Sequence, residues 1–219
     1  MPLFVLGINH NTASLSLRER LSFTPDQMEQ ALRQGFCLEG VSEIAILSTC
    51  NRTEIYANGD DLADEAMIRW ICGFHGLADE GVREALYLRR DESAASHMMT
   101  VASGLDSMIL GEPQILGQLK DAHARARDLG TVGGHLDRLF QHAFSVAKRV
   151  RTETAIGENP VSVAYAAVSM ASHIFADLRE TTALLVGAGE TIELVVKHLF
   201  RAGVRHFIIA NRTLSRARA

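Results

Sequence analysis

The sequence is poor in several features, and each absence narrows the possibilities. It has three cysteines, Cys37, Cys50 and Cys72, an odd number that argues against a disulfide framework. No internal repeat or low-complexity tract is present, which excludes a repeat array. No apolar stretch approaches the roughly 20 residues needed to span a bilayer. The N-terminus, MPLFVLGINH, lacks the basic region of a signal peptide and reads as a strand. A cytoplasmic protein with no membrane association is expected. Cys72 and His75 are potential zinc ligands at close spacing, but no second pair matches them. Cys72 also falls on the apolar side of a helical pattern, so no metal site is expected. No recognisable RNA-binding module is present.

The composition is that of a globular protein, 47% hydrophobic and 22% charged, with few prolines. Its 219 residues suffice for one large or two modest domains. The net charge of −4 hides an asymmetry. Residues 1–109 carry 8 Lys and Arg against 16 Asp and Glu, whereas residues 110–219 carry 14 against 10. The basic half includes Lys148, Arg149 and Arg151 in close succession. They form either a solvated helix face or a contact for phosphates, which need clustered positive charge.

Along the chain, residues 3–8 form a short apolar run closed by Gly7 and polar residues, a buried strand. Thr24 as N-cap, Pro25 at the first helical position and Gly35 as a stop predict a helix. SEIAILST and TEIYAN predict two strands, broken at residues 50–52. Met67, Trp70, Ile71 and Phe74 recur at helical spacing, and EALYLRR reads as a fourth strand. Strand, helix, two strands, helix, strand is the split βαβ order of ferredoxin-like sheets. From Glu92 the pattern turns helical, through SAASHMMTVASGL, ILGQLKDAHARARDLG and HLDRLFQHAFSVAKRVRTET. GENPV, residues 157–161, punctuates the chain, and SVAYAAVSMASHIF follows as a small-residue helix.

The last segment reads strand, Gly-rich turn, helix, strand, like the first βαβ unit of a dinucleotide-binding domain. The fold expected is therefore α/β. An α+β N-terminal domain over residues 1–157, a ferredoxin-like sheet plus helices, precedes an incomplete Rossmann-type domain over residues 158–219. Such a sheet needs more strands than the chain provides. A fragment is therefore expected, with an exposed edge and an apolar face that favour self-association.

Two places carry chemistry. In the Gly-rich turn, Gly187 permits a tight turn and Gly189 lets the backbone approach a pyrophosphate at the helix N-terminus. Ala188, Glu190 and Thr191 complete the turn, and Ile192 stands where G-x-G-x-x-G has its third glycine. An ordinary βα turn is the alternative. After the second strand, Asn211, Arg212 and Thr213 stand where an NAD site usually places an acid. An arginine there favours the 2′-phosphate of NADP, unless the stretch is merely a helix cap.

The other place is Cys50, at the end of a buried strand. It is a small hydrophobe by base expectation, or a nucleophile if a cation such as Arg52 lowers its pKa. In DSMILGEPQILGQ, the polar Ser107, Glu112, Gln114 and Gln118 are threaded among large apolar residues around Pro113. A loop of this kind is expected to be partly buried, so its polar groups need partners. A polar substrate such as an amino acid is one; capping and turn formation are the other. His97 lies among apolar residues on a helix, either packed or doing acid–base work. His10 is a weaker candidate of the same kind.

The blocks GINHNTASLSLRERLSF, LSTCNRTEIY, ASGLDSMILGEPQILGQ, FSVAKRVRTET and LLVGAGETIELV together resemble the glutamyl-tRNA reductase family, in the family's order. The resemblance implies NADPH-dependent reduction of glutamyl-tRNA to glutamate-1-semialdehyde. This is the first step of tetrapyrrole (porphyrin) synthesis through 5-aminolevulinate. It implies Cys50 as the nucleophile that forms a thioester, and His97 as a residue important for activity. Thr49, Asn51 and Arg52 belong to the same substrate-binding motif, and Ser107, Glu112, Pro113, Gln114 and Gln118 match the glutamate pocket. Residues 187–192 match the nucleotide turn, so the missing third glycine is normal for the family. Arg52 is suited to hold the substrate's side-chain carboxylate bidentately.

The resemblance also implies a dimerisation domain and a homodimer for the full-length protein, and a partnership with glutamate-1-semialdehyde aminomutase. The fragment is expected to form the thioester but to reduce it poorly, releasing glutamate by hydrolysis. Two readings compete. A shikimate-type dehydrogenase would share the NADP turn without needing Cys50. A non-catalytic tRNA-binding fragment would show no enhanced reactivity at Cys50.

Overall fold

A computed structural model describes residues 2–60, 62–157, 163–175, 177–213 and 215. The chain divides into two compact units, Met1–Glu158 and Asn159–Ala219. The punctuating residues 158–161 lie outside the described residues.

The first unit is built on a four-stranded antiparallel sheet. Its strands are β1 (Leu3–Asn9), β2 (Val41–Ser48), β3 (Arg52–Gly59) and β4 (Tyr87–Arg90), in spatial order β2-β3-β1-β4. This is the ferredoxin-like order expected from the sequence. Two short helices, α1 (Leu15–Arg20) and α4 (Asp79–Arg83), precede and follow the pair α2 (Pro25–Phe36) and α3 (Ala63–His75). Three further helices complete the unit: α5 (Asp91–Ala102), α6 (Gln114–Asp128) and α7 (Gly134–Glu153).

Helices on both sides explain why every residue of β3 is buried. Side chains alternate across a strand, so Thr53, Ile55 and Ala57 face one side and Arg52, Glu54, Tyr56 and Asn58 the other. The second set meets the later helices: Tyr56 packs edge-on against Phe140 of α7, with ring centroids 5.7 Å apart. The edge strand β2 is covered by Thr131, between α6 and α7: Ile44 N–H donates to Thr131 O at 2.8 Å, and the Thr131 hydroxyl donates to Ile44 O at 3.0 Å. Buried Glu43 caps α7, accepting from the backbone N–H groups of His135 and Leu136 at 3.1 and 3.0 Å. A carboxylate at a helix N-terminus satisfies its free donors and complements the dipole.

Two glycines read as terminators are packing positions instead. α2 starts as expected, with Thr24 as N-cap and Gln27 completing a capping box, but it runs through Gly35 to Phe36. A Cβ on Gly35 would sit 2.5 Å from Ile44 Cδ1, so the bare backbone lets α2 lie close on β2. Likewise β1 runs through Gly7 to Asn9. The fourth strand is shorter than EALYLRR, beginning at Tyr87, because α4 and its exit turn use the preceding residues.

In the second unit, β5 (Thr182–Val186) and β6 (His206–Ala210) pair in parallel and are linked by α9 (Glu190–Arg201). The helix α8 (Val163–Ile174) packs with α9, and Val168, Leu178, Leu185, Leu199 and Val204 form a small core. Leu184, Val186 and Ile208, which share one face of the two strands, are exposed. Among the described residues no helix is long and apolar enough to cross a membrane.

Candidate active site

The turn between β2 and β3 presents Cys50 to solvent. Thr49 builds this turn. Its N–H donates to Arg52 O at 2.8 Å, and its hydroxyl oxygen accepts from the N–H groups of Asn51 and Arg52 at 3.2 and 3.1 Å. Arg18 of α1 holds the turn from outside: Nη1 donates to Cys50 O at 3.0 Å and to Asn51 Oδ1 at 3.3 Å. Arg18 Nε is buried and has no hydrogen-bond partner among the described residues. The cation that touches the Cys50 backbone is therefore Arg18, and not Arg52.

Arg52 points into the protein and is 2% exposed. Nη1 meets Glu54 Oε1 at 2.7 Å and Nη2 meets Asp106 Oδ2 at 3.0 Å. Nη2 also donates to the backbone oxygen of Asp106. Asn9, opposite Arg52 in the β1–β3 register, gives its side-chain amide to Asp106 Oδ2 at 3.2 Å. The strand end and the loop after α5 are thus tied through one guanidinium.

Glu54 is fully buried, and four side chains satisfy it. Besides Arg52, it accepts from the hydroxyl of Tyr56, from that of Tyr87 at 2.5 Å, and it meets His97 Nε2 at 2.9 Å. Burial alone would raise its pKa. The hydrogen bond from His97 and the charge of Arg52 outweigh burial and hold it at about 2. With Glu54 ionised, His97 Nε2 is the donor. Burial, then the Glu54 charge, raises the pKa of both tyrosines, so they stay donors. Burial would favour loss of the Arg52 proton, but Glu54 prevails and raises its pKa.

This cluster exists because β1 leaves room for it. Gly7 stands between Glu54 and Tyr87 in register. A Cβ there would lie 2.8 Å from Glu54 Cγ and 3.0 Å from Tyr87 Oη. His97 packs edge-on against the Tyr87 ring, with centroids 5.3 Å apart.

The loop from Gly104 to Gly111 is pinched at its base, where Gly111 N–H donates to Gly104 O at 2.8 Å. Its apolar side chains are less buried than the sequence suggested: Leu105, Met108 and Leu110 are exposed. Closing the loop between two glycines sends its middle outward, away from the core. Asp106 is the loop side chain that finds protein partners. Ser107, Glu112, Gln114 and Gln118 make no side-chain hydrogen bond among the described residues. Glu112 and Asp106 raise the pKa of His10, but burial first, and then the charges of Arg52 and Arg18, lower it. His10 Nδ1 is buried without a hydrogen-bond partner among the described residues. Pro113 occupies the N-cap position of α6 and Gln114 begins that helix. Gln118, one turn on, lines a groove of about 180 Å³ with Ser48, the residue before Thr49.

Thr49 to Arg52 and His97, expected from sequence, thus join one hydrogen-bonded network with Arg18, Glu54, Tyr87 and Asp106, which the sequence did not single out. One signal for Glu54 was available. Arg52, Glu54 and Tyr56 alternate with Thr53, Ile55 and Ala57, a polar stripe on one strand face. In a sheet covered on both sides such a stripe must pair internally.

Elsewhere, Cys72 is buried with Sγ 3.5 Å from Asp79 Oδ1, and burial, with Asp79, pushes its thiol up to about 11. His75 packs against Phe23 and Phe74. Among the described residues no three His, Cys, Asp or Glu side chains gather to hold a metal ion. Of the basic run, Arg149 pairs with Glu153 at 3.2 Å, and Arg151 Nη1 donates to Gly111 O at 3.1 Å.

In the second unit, Gly187 has a φ of 113°, a conformation that side chains disfavour, and its N–H donates to Ala210 O at 2.7 Å. Gly189 is the N-cap of α9 and no side chain caps the helix. Its Cβ position opens onto free space, with no atom within 4 Å. Free N–H groups behind an open glycine turn fit a phosphate. Ile192 packs toward the small core, which accounts for an apolar residue in place of a third glycine. Asn211 Nδ2 donates to Thr213 O at 2.7 Å, while Arg212 and Thr213 are exposed. The Ala188 backbone belongs to the same turn, Thr191 is exposed, and the Glu190 side chain lies outside the described residues.

Comparison with known proteins places these features. Residues 6–154 match the family described as glutamyl-tRNAGlu reductase, N-terminal domain, and residues 169–219 match shikimate / quinate 5-dehydrogenase. Glutamyl-tRNA reductases of Hahella chejuensis and Marinobacter nauticus are each 60% identical over all 219 residues, covering 52% and 51% of those proteins. The solved glutamyl-tRNA reductase from Methanopyrus kandleri superposes with a TM-score of 0.65 at 37% identity. The match covers 99% of this chain and 52% of that one. The chain spans about half the length of the relatives it matches.

Proposed function

The chain belongs to the glutamyl-tRNA reductase family, and we propose that Cys50 is the nucleophile of a reduction of glutamyl-tRNA to glutamate-1-semialdehyde. The observation that carries this reading is the exposed Cys50 thiol in a turn braced on both sides, by Thr49 within and Arg18 without. A nucleophile needs access and a fixed approach.

In this reading the Cys50 thiolate attacks the ester carbonyl carbon. The S–C bond forms, the C–O bond to the tRNA ribose breaks, and the departing oxygen takes a proton. The thioester divides a difficult reduction into two easier steps. With Nε2–H given to Glu54, His97 keeps an unprotonated Nδ1, which takes the Cys50 thiol proton and returns it to the departing oxygen. Arg52 is held by Glu54 on the buried side and by Asp106, 27% exposed, on the other. The substrate's side-chain carboxylate takes the place of Asp106 on that guanidinium. Asn51, Ser107, Glu112, Pro113, Gln114 and Gln118 form the surrounding pocket.

The first unit acts as the catalytic, tRNA-binding domain and the second as the start of the cofactor domain. The Gly187–Gly189 backbone and the α9 N-terminus would hold the pyrophosphate of NADPH, with Asn211, Arg212 and Thr213 near its 2′-phosphate. Bound there, NADPH supplies the hydride that converts thioester to aldehyde. Full-length relatives act as homodimers in this account, in the cytoplasm.

The test is protection. Glutamyl-tRNA should slow alkylation of Cys50 by iodoacetamide, and uncharged tRNA should slow it less. Equal alkylation rates with and without glutamyl-tRNA would overturn the assignment.

A further inference from the structure

We infer that the groove between α6 and α7 is the surface on which the RNA backbone of the substrate docks, an inference that rests on the tRNA reading above. The groove is open, about 590 Å³, and is lined by Leu116, Lys120, Gln141, Phe144, Lys148 and Arg151 among others. Three of its lining residues are cations and none is a carboxylate. Neither Lys120 nor Lys148 has an ion pair among the described residues. Among the other exposed cations of this unit, Arg33, Arg69, Arg83, Arg90 and Arg149 each pair with a carboxylate. What sets the groove apart is that three cations line one depression with no carboxylate among them.

The floor of the groove is as telling as its rim. Lys120 Nζ lies 5.8 Å from the centre of the half-buried Phe144 ring, and Leu116 adds apolar surface. Cations flanking a half-buried ring suit a nucleic-acid strand: phosphates meet the ammonium groups and a base meets the open side of the ring. An acidic protein would meet the same charges but would not need the aromatic floor. Three cations with no carboxylate beside them complement a polyanion.

The groove is also connected to the site. Arg151, at its end, donates to Gly111 O, at the base of the loop whose Asp106 holds Arg52. A strand lying in the groove therefore ends against the loop that contacts the substrate-binding arginine.

The experiment titrates the 219-residue chain with glutamyl-tRNA at increasing KCl, alongside the double variant Lys120→Gln/Lys148→Gln. Both side chains are exposed and outside the catalytic turn. The variant should bind roughly tenfold more weakly, with the slope of log affinity against log salt shallower by about 1 per lysine. Alkylation of Cys50 by iodoacetamide without RNA should be unchanged. Equal affinity and equal slope in both proteins would overturn the docking surface while leaving the tRNA reading intact. No binding of glutamyl-tRNA by the unaltered chain would overturn both. An altered rate of Cys50 alkylation in the variant would also count against a docking role, since it would place the lysines in the site's own structure.

Discussion

The two sheets of this protein treat polarity in opposite ways. The four-stranded sheet buries charge: Arg52, Glu54, Tyr56 and Asn58 follow one another on one face of β3, all shielded by helices. The two-stranded sheet exposes Leu184, Val186 and Ile208, apolar residues of the kind usually hidden. Burial of an ionic cluster is costly unless each member is paired. Here each is, and the pairing joins residues far apart in the chain. Glu54 on β3 gathers Tyr87 from β4 and His97 from α5, while Asp106 reaches Arg52 from the loop beyond. The difference teaches where shape is specified most tightly. In the first unit a polar network fixes the strand ends that carry Cys50. In the second, a short apolar core and a glycine turn suffice to shape the open start of α9.

The strongest way to test that contrast is to remove the chemistry and keep the frame. Cys50→Ser should lower single-turnover reaction with glutamyl-tRNA by more than about a thousandfold, since an alkoxide is far harder to form than a thiolate. Its urea midpoint should not move, because Cys50 is exposed. A loss of stability equal to that of a core substitution would place Cys50 in the frame instead.

Next in size is the frame itself. Glu54→Gln leaves Arg52 buried without its main counter-charge and should cost about 3–5 kcal/mol in denaturant unfolding. The pH dependence has a definite sign. The carboxyl, ordinarily near 4.5, is held at about 2 in the folded protein. Its contribution is therefore complete above pH 4.5 and is lost as pH falls from there toward 2. The Gln variant should lack this part of the acid sensitivity. An unchanged acid-unfolding profile would show that Glu54 is not the group responsible.

Smaller again is Gly7→Ala. The added methyl meets Glu54, Tyr87 and a backbone oxygen within about 3 Å, and overpacking of this kind costs about 1–3 kcal/mol. The smallest effect belongs to the other sheet. Leu184→Lys and Val186→Lys should each change stability of the 219-residue chain by no more than about 0.5 kcal/mol, as exposed positions do. A cost like that of Gly7→Ala would mean that this face is covered in solution.

Much of the frame could be read from sequence, for local reasons. Thr24, Pro25 and Gln27 announce the start of α2 by capping chemistry, which needs only neighbours. The strand order followed from the alternation of elements. What could not be read depends on contacts across the sheet. Gly7 and Gly35 look like stops because glycine often ends elements, yet both serve close approach to residues distant in sequence, Glu54 and Ile44. Glu54 looks solvated until two partners from other elements, Tyr87 and His97, are in place. At the site, local pattern made Cys50 legible as a thiol at a strand end, and a nucleophile's role for it came only from the family resemblance. Arg52 looked like the cation beside it, whereas the cross-strand pairing turns Arg52 inward and brings Arg18 to the Cys50 carbonyl.

The central claim is that this braced turn exists to present a nucleophile. Mass spectrometry of the chain quenched at acid pH after mixing with glutamyl-tRNA tests it most directly. The account predicts a glutamyl adduct on the peptide containing Cys50, removable by hydroxylamine and absent with uncharged tRNA. An unmodified Cys50, or a glutamyl group on Cys37 or Cys72 instead, would contradict it.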